Sequence, residues 1–426
     1  MKTLRKRAST LLACSSVLAV LVATPVQAQT SEELRSEVAQ LRARIDRLEA
    51  ALAAQETHPQ TSASFAAPAD PAQPVTAATP ALAAAPPSAT KRLNVNGDVR
   101  VRYESNFGRD AVRNRDRGVV RGRLRASYAV NSWLTAGGEL STGDLNDPNS
   151  TDVTLTRFAD DLSVGLSQAY LRAQFGNLTL TGGKMPQPFV RTELTWDGDV
   201  NPQGLSASYK VALPAGASVR ANALYFLVDE ASNAKDSRMI GGQLQFETAA
   251  SNAIKLELAA GYYDYDLGTV AGADIGDFRT NRFAGNQYLS DFNLLDVVGA
   301  VQFNGLGERW PVRVVGNYVH NYGATTDQDT GYGVDLYLGR GSKLGDWRFG
   351  YGYAQTGVDA VLAAFSHDNT DLATNYIQHT LLVDYVVSPG VTLNATWYRY
   401  KQKSLLFTPG FADWANRVRL NMLATF

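Results

Sequence analysis

The chain has 426 residues, with 40 basic against 41 acidic side chains and a formal charge of −1, so no overall field favours a polyanion and nucleic acid is not an expected partner. Although 45% of the residues are hydrophobic, no run beyond the N-terminal start is long enough for a transmembrane helix. A single cysteine excludes an internal disulfide framework.

Lys2, Arg5, Lys6 and Arg7 lead into an apolar run from Leu11 to Ala23 and then into Val26-Gln-Ala28. A basic start, a short apolar core and a small-residue cleavage site predict a secretory signal peptide over residues 1–28, cut after Ala28. A retained anchor helix is disfavoured because the run is too short and Pro25 interrupts its end. Leu11-Leu-Ala-Cys14 loosely resembles a lipoprotein cleavage box, but a cut there would leave only a stub of apolar core. The later cut removes four basic residues, leaving 36 against 41 acidic, a charge of −5 and no cysteine.

Residues 29–56 carry Leu34, Val38, Leu41, Ile45, Leu48 and Leu52 in steps of four and three, the a/d seam of a short α-helical coiled coil. An isolated helix of this length is marginal in water, so the seam predicts self-association; the alternative is a helix packed on another part of the chain. Val and Ile at a with Leu at d lean toward two strands. Residues 57–92 are Ala, Pro, Ser and Thr with almost no charge, an extended tether that sets the coil apart from the C-terminal three quarters of the chain.

From residue 93 to 426 the pattern becomes period-two alternation in sixteen segments, beginning with 93–104, 118–130 and 132–142 and ending with 374–387, 390–402 and 416–426. Links after even segments are tight, as at Gly176-Asn177 and Ser388-Pro389, whereas links after odd segments are mostly long and polar, up to 267–293. Short turns on one side and long loops on the other predict an all-β transmembrane barrel of about sixteen antiparallel strands, with the turns in the periplasm. Aromatic residues gather at both ends, Trp133, Phe175, Phe303 and Trp347 at the turn side and Tyr103, Tyr225, Tyr318 and Trp397 at the other. A soluble sheet protein would need a dry core, and the inward positions here are largely Arg, Asn, Asp, Gln, Thr and Lys.

The last segment puts Val418, Leu420, Met422, Ala424 and Phe426 outward and Arg417, Arg419, Asn421, Leu423 and Thr425 inward, so Phe426 is the expected barrel-closing terminus. The first sends Asn94, Asn96, Asp98, Arg100, Arg102 and Glu104 to the lumen, and the second adds Arg121, Arg123, Arg125 and Ser127. Closure therefore brings seven arginines together: Arg100, Arg102, Arg121, Arg123, Arg125, Arg417 and Arg419. They predict a basic ladder lining a pore; the plainer reading is that they only solvate a wet wall. Eight strands leave a filled interior, whereas about sixteen leave an aqueous channel. The expected function is passive diffusion of small hydrophilic solutes, anions preferred, through the outer membrane of a Gram-negative bacterium.

Gly183-Lys-Met-Pro-Gln-Pro-Phe189 and Glu193-Leu-Thr-Trp-Asp-Gly-Asp-Val-Asn-Pro-Gln-Gly-Leu-Ser-Ala-Ser-Tyr209 resemble the third-loop region of the bacterial outer-membrane "putative porin" family, which the N-terminal coil and terminal Phe also resemble. The resemblance implies a channel without enzyme activity or cofactor, surrounded by outer-membrane lipid and assembled as a homo-oligomer, a trimer by the family's pattern. It also implies a third loop folded into the barrel, where Glu193, Asp197 and Asp199 would face the basic wall and set a transverse field. A second reading makes the protein a structural tether, its periplasmic coil and linker reaching another envelope layer.

Other chemistry is weakly signalled. His58, His320, His367 and His379 lack metal-ligand spacing, and His379 has no nucleophile motif beside it, so an interfacial polar role is expected for it. Asp144-Leu-Asn-Asp147 and Asp327-Gln-Asp329 lack a full calcium ligand set and read as solvated loop tips. Gly339-Arg-Gly341 precedes a strand and not a helix, which removes a phosphate-loop reading.

Overall fold

The computed structural model describes residues 92–426, apart from 109–113, 156–158, 160, 234, 250–252, 269–277, 286, 408–409 and 411. The expected signal peptide, coiled coil and nearly all of the linker lie outside the described residues. The remainder forms sixteen long antiparallel strands. The first quarter holds β1 (Leu93–Phe107), β2 (Arg115–Ala129), β3 (Leu134–Thr142) and β4 (Val164–Phe175). There follow β5 (Leu178–Lys184), β6 (Gln203–Ala212), β7 (Ser218–Asp229) and β8 (Ser237–Glu247). The third quarter is β9 (Ile254–Leu267), β10 (Asn293–Phe303), β11 (Val312–Asn321) and β12 (Thr330–Leu338). The last is β13 (Trp347–Thr356), β14 (Tyr376–Ser388), β15 (Val391–Gln402) and β16 (Ala415–Thr425).

Each strand pairs with its sequence neighbours, and β16 returns to β1 in a register running from Asp98 opposite Thr425 to Phe107 opposite Asn416. Closure leaves no free edge, so each strand's backbone groups have a partner on both sides. The terminal residue takes part: Gly97 donates its backbone N–H to the Phe426 carbonyl at 2.8 Å, and Phe426 donates back at 3.1 Å. A Cβ on Gly97 would stand 2.7 Å from the Phe426 ring, so glycine here is what lets the last aromatic lie across the first strand. Phe426, the expected closing terminus, thus lies at the seam between β16 and β1.

Alternation sorts the side chains as the period of two requires. Val101, Leu166, Leu205, Leu244, Leu258 and Met422 belong to an exposed apolar outer surface. Trp133 stacks on Phe175 at 5.6 Å, and Trp347 lies 4.5 Å from Tyr385, both next to short turns. In water such a surface would be a severe penalty, and in hydrocarbon it is the appropriate one.

The interior departs from the expectation of a uniformly polar lumen. Three long loops, L2 (143–163), L3 (185–202) and L7 (357–375), lie at one end of the strands. Much of L3 and nearly all of L7 are buried: Trp196, Val358, Val361 and Ala363 are at 0% exposure. Trp196 of L3 and Val361 and Phe365 of L7 join Phe226, Tyr263, Tyr265, Phe292, Val319 and Tyr400 from the inner faces of the strands and the loop before β10 in an apolar cluster inside the barrel. Trp196 stacks on Phe365 at 5.8 Å and meets Tyr263 edge-on at 5.6 Å. The barrel therefore does contain a dry core, built by loops that turn inward.

Candidate functional site: the barrel lumen

On β1, β2 and β16 the inward positions are charged, and the register sets them side by side: Arg100 opposite Arg121, Asp98 opposite Arg123, Glu104 opposite Arg419. Asp98, at 0% exposure, receives three guanidinium groups. Arg121 Nη2 lies 2.9 Å from Oδ1, while Arg123 Nε and Arg125 Nη1 lie 2.9 and 3.2 Å from Oδ2. Glu104, equally buried, gathers Arg117 at 2.5 Å, Arg419 at 2.8 Å and Arg417 at 3.5 Å. One carboxylate shared by three guanidiniums is what makes such crowding of like charge tolerable in a desolvated wall.

The remaining valences of the arginines reach out to the loops. Asp152 of L2 pairs with Arg100 and, at 2.6 Å, with Arg102. Asp199 of L3 pairs with Arg123 at 2.9 Å and accepts from Thr151 Oγ1 at 2.8 Å, so L2 and L3 are tied to each other as well as to the wall. In L7, Asp371 pairs with Arg417 at 2.5 Å, and the Asn369 side chain accepts from Arg419 at 2.8 Å. Arg125 also pairs with Glu139 of β3.

All seven arginines expected to form a ladder thus stand together on one wall, and Arg117 joins them. Sequence reasoning placed Asp98 and Glu104 in the lumen without using them as counter-charges, and it passed over Arg117, Asp152 and Asp371. Of the three acidic residues expected on the third loop, only Asp199 meets a ladder arginine. Glu193 lies 3.5 Å from Arg191 of its own loop, and Asp197 accepts from the Asp199 backbone at 2.8 Å. L3 spans the lumen through Thr195 to Asp296 on β10 at 3.3 Å, Val190 to Gln243 on β8 at 2.8 Å and Asn201 to Gln168 on β4 at 2.8 Å.

Charge within the loops follows these contacts. Burial alone would raise Asp152 and Asp199, but Arg102 and Arg100 beside the first and Arg123 and Arg121 beside the second outweigh it and hold both below the usual carboxylate range. Glu193 lacks such partners, so burial pushes it up to about 7 even with Arg191 near. Asp197 is raised as well, by burial and then by the charge of Glu193. Burial, with Arg279 and the ladder arginines Arg419 and Arg417 nearby, keeps His367 down at about 3 and therefore neutral.

A sector about a quarter of the way round the barrel is built differently. Inward positions on β12 and β13 include Gly331, Gly333, Asp335, Gly350, Gly352 and Ala354. A Cβ on Gly352 would stand 2.4 Å from Asp335 Oδ1, so the missing side chain is what allows Asp335 to lie along the wall. Between this sector and the inserted loops lies a narrow cleft of about 90 Å³, partly open to solvent, whose lining includes Glu193, Asp335, Tyr337, His367, Tyr376 and Gln378. His379 faces outward, its Nδ1 2.9 Å from the Tyr351 hydroxyl. Among the described residues no cluster of three His, Cys, Asp or Glu could hold a metal ion.

Comparison with known proteins adds two findings. Residues 108–282 match the model of a family described as "Putative porin", which includes both motifs that carry the resemblance. Among solved structures, the high-pH structure of Pseudomonas putida OprB is 14% identical over 79% of this chain and 95% of that one, with a TM-score of 0.53. Salmonella typhi OmpF in complex with daunomycin is 11% identical over 78% and 97%, at 0.48, and a loop-deletion mutant of Vibrio cholerae OmpT is 12% identical over 78% and 99%, at 0.47. The likeness to OprB is one of fold. No curated protein sequence matches the chain.

Proposed function

From a chain whose residues 108–282 carry the "putative porin" sequence pattern, we propose a porin of the outer membrane that lets small hydrophilic solutes diffuse across without chemical change. The observation that carries this reading is the closed sixteen-strand barrel, with a narrow cleft of about 90 Å³ left beside the inserted loops. In this reading the path follows the cleft along β11 to β15, and the inserted loops set its width.

The arginine wall does not line the cleft, and it supports a mild anion preference through the field of its surplus charge across the lumen. Arg100, Arg102, Arg117, Arg121, Arg123, Arg125, Arg417 and Arg419 are ion-paired to Asp98, Glu104, Glu139, Asp152, Asp199 and Asp371, eight positive against six negative charges, a surplus of two. A low-dielectric wall focuses that surplus although the chain as a whole is negative. Residues 1–28 are proposed as the export signal, 29–56 as a periplasmic coil and 57–92 as its tether to the barrel of residues 93–426. The coil and the family resemblance together support a homo-oligomer, with a trimer as the resemblance implies.

Planar-bilayer recording tests the reading: discrete ionic steps with a reversal potential slightly on the anion side are expected, fading as the Debye length falls to about 3 Å near 1 M salt. Replacing Arg121 and Arg123 by Gln should move that potential toward cations. A protein that folds into bilayers and passes no current would leave the tether reading in its place.

A further inference from the structure

Cations on the outer wall differ in how they are neutralised. At the loop end of β8 and β9, the outward Lys235 and Arg238 share Asp266, at 2.6 and 3.5 Å. At the loop end of β14 and β15, the outward Arg399 and Lys401 have no ion-paired carboxylate among the described residues. Outward positions along β15 run Val391, Leu393, Ala395, Trp397, Arg399 and Lys401, from apolar through aromatic to cationic. At about 3.4 Å per residue, Arg399 and Lys401 stand roughly 7 and 14 Å beyond Trp397, on the water side of the aromatic girdle where headgroups lie.

Both cations approach one ring. The Arg399 guanidinium is 5.4 Å and the Lys401 ammonium 5.0 Å from the centre of Trp414. His379 stands opposite Arg399 in the register and 5.5 Å from the same ring, and Tyr351 contributes its hydroxyl. The exposed Asp413 next to Trp414 forms no ion pair with either cation. Two like charges against one indole ring, with hydrogen-bond donors beside them and apolar wall below, lack only an anion attached to something apolar.

We propose that this rim binds the phosphate of a lipid headgroup in the leaflet at the long-loop end, with the lipid's chains lying on the wall below Trp397. Resting on the outer-membrane porin reading, it assigns the site to a phosphomonoester lipid. Arg399 and Lys401 grip the phosphate as charge-assisted donors, and Trp414 holds both cations in place.

The test uses the full chain folded in phosphatidylcholine vesicles doped with phosphatidic acid, with retained lipid counted by native mass spectrometry. Preferential retention of phosphatidic acid is expected, reduced about fivefold by Lys401→Gln and about thirtyfold by Arg399→Gln with Lys401→Gln. Lys235→Gln with Arg238→Gln, on the neutralised rim, should leave the preference intact. The proposal is overturned if the Arg399 and Lys401 substitutions leave retention unchanged. It is equally overturned if inorganic phosphate binds the detergent-solubilised protein with the same dependence on both residues, or if Lys401→Cys cross-links two copies face to face. Circular dichroism of each variant checks folding, and bilayer conductance of the same preparation reads the channel separately, so lost lipid preference with intact conductance counts against this site alone.

Discussion

Two sectors of one wall show opposite uses of the inward positions. Along β16, β1 and β2 the strands carry buried guanidiniums and carboxylates, and three loops come in to complete their pairing. Along β12 and β13 glycine and alanine dominate the inward positions, and the cleft lies beside them. The contrast teaches that charge on a barrel wall need not face open space. Where it is dense and desolvated it recruits cover, and the cleft lies where side chains are smallest.

Breaking the charged sector should have the largest effect. Asp98→Ala leaves three guanidiniums around an empty site and is expected to cost about 3–5 kcal/mol, the usual toll for orphaning a buried charge. Urea unfolding in vesicles would measure it, and a loss near zero would mean that water reaches this wall freely. Next comes the apolar plug. Phe365→Ala removes the ring between Trp196, Phe226 and Tyr265 and should cost about 3–5 kcal/mol of plug packing, seen as a larger and noisier open-channel current. An unchanged current would place L7 outside the functional constriction.

A smaller effect should come from pH. Glu193 sits at about 7 against an ordinary 4.5, so the stability it contributes is fully present below about 4.5 and is lost as pH rises through 7. L3 should loosen and the current change over that window. Glu193→Gln should flatten the response, and a variant that titrates like the parent would assign it elsewhere. Asp152 has the reverse sign: its pairs with Arg102 and Arg100 stabilise above the ordinary 3.8 and are lost as pH falls through its depressed value.

Much of this architecture was legible in the chain. Alternation with a period of two is local, and it located all sixteen strands; closure then followed from Phe426, and strand adjacency brought Arg417 and Arg419 beside Arg100 and Arg102. Loop placement is a long-range matter and was harder to read. Even so, Val358-Asp-Ala-Val-Leu-Ala-Ala-Phe365 is too apolar for an external loop and could have signalled the plug. Likewise Gly331 with Gly333, and Gly350 with Gly352, are spaced by two and must share a face, which could have marked the open wall. The pairing of arginines with Asp152 and Asp371 had no local signal, since it depends on loops crossing the lumen.

The claim that solutes pass along the glycine-lined sector can be tested by cysteine accessibility in the planar bilayer, on a chain whose single cysteine, Cys14, is replaced by Ser or removed by the proposed cut after Ala28. A charged methanethiosulfonate reagent should block current through Gly333→Cys, which faces the cleft, and spare Ser141→Cys, buried beside the arginine wall. Block at Ser141→Cys with Gly333→Cys unaffected would contradict the account.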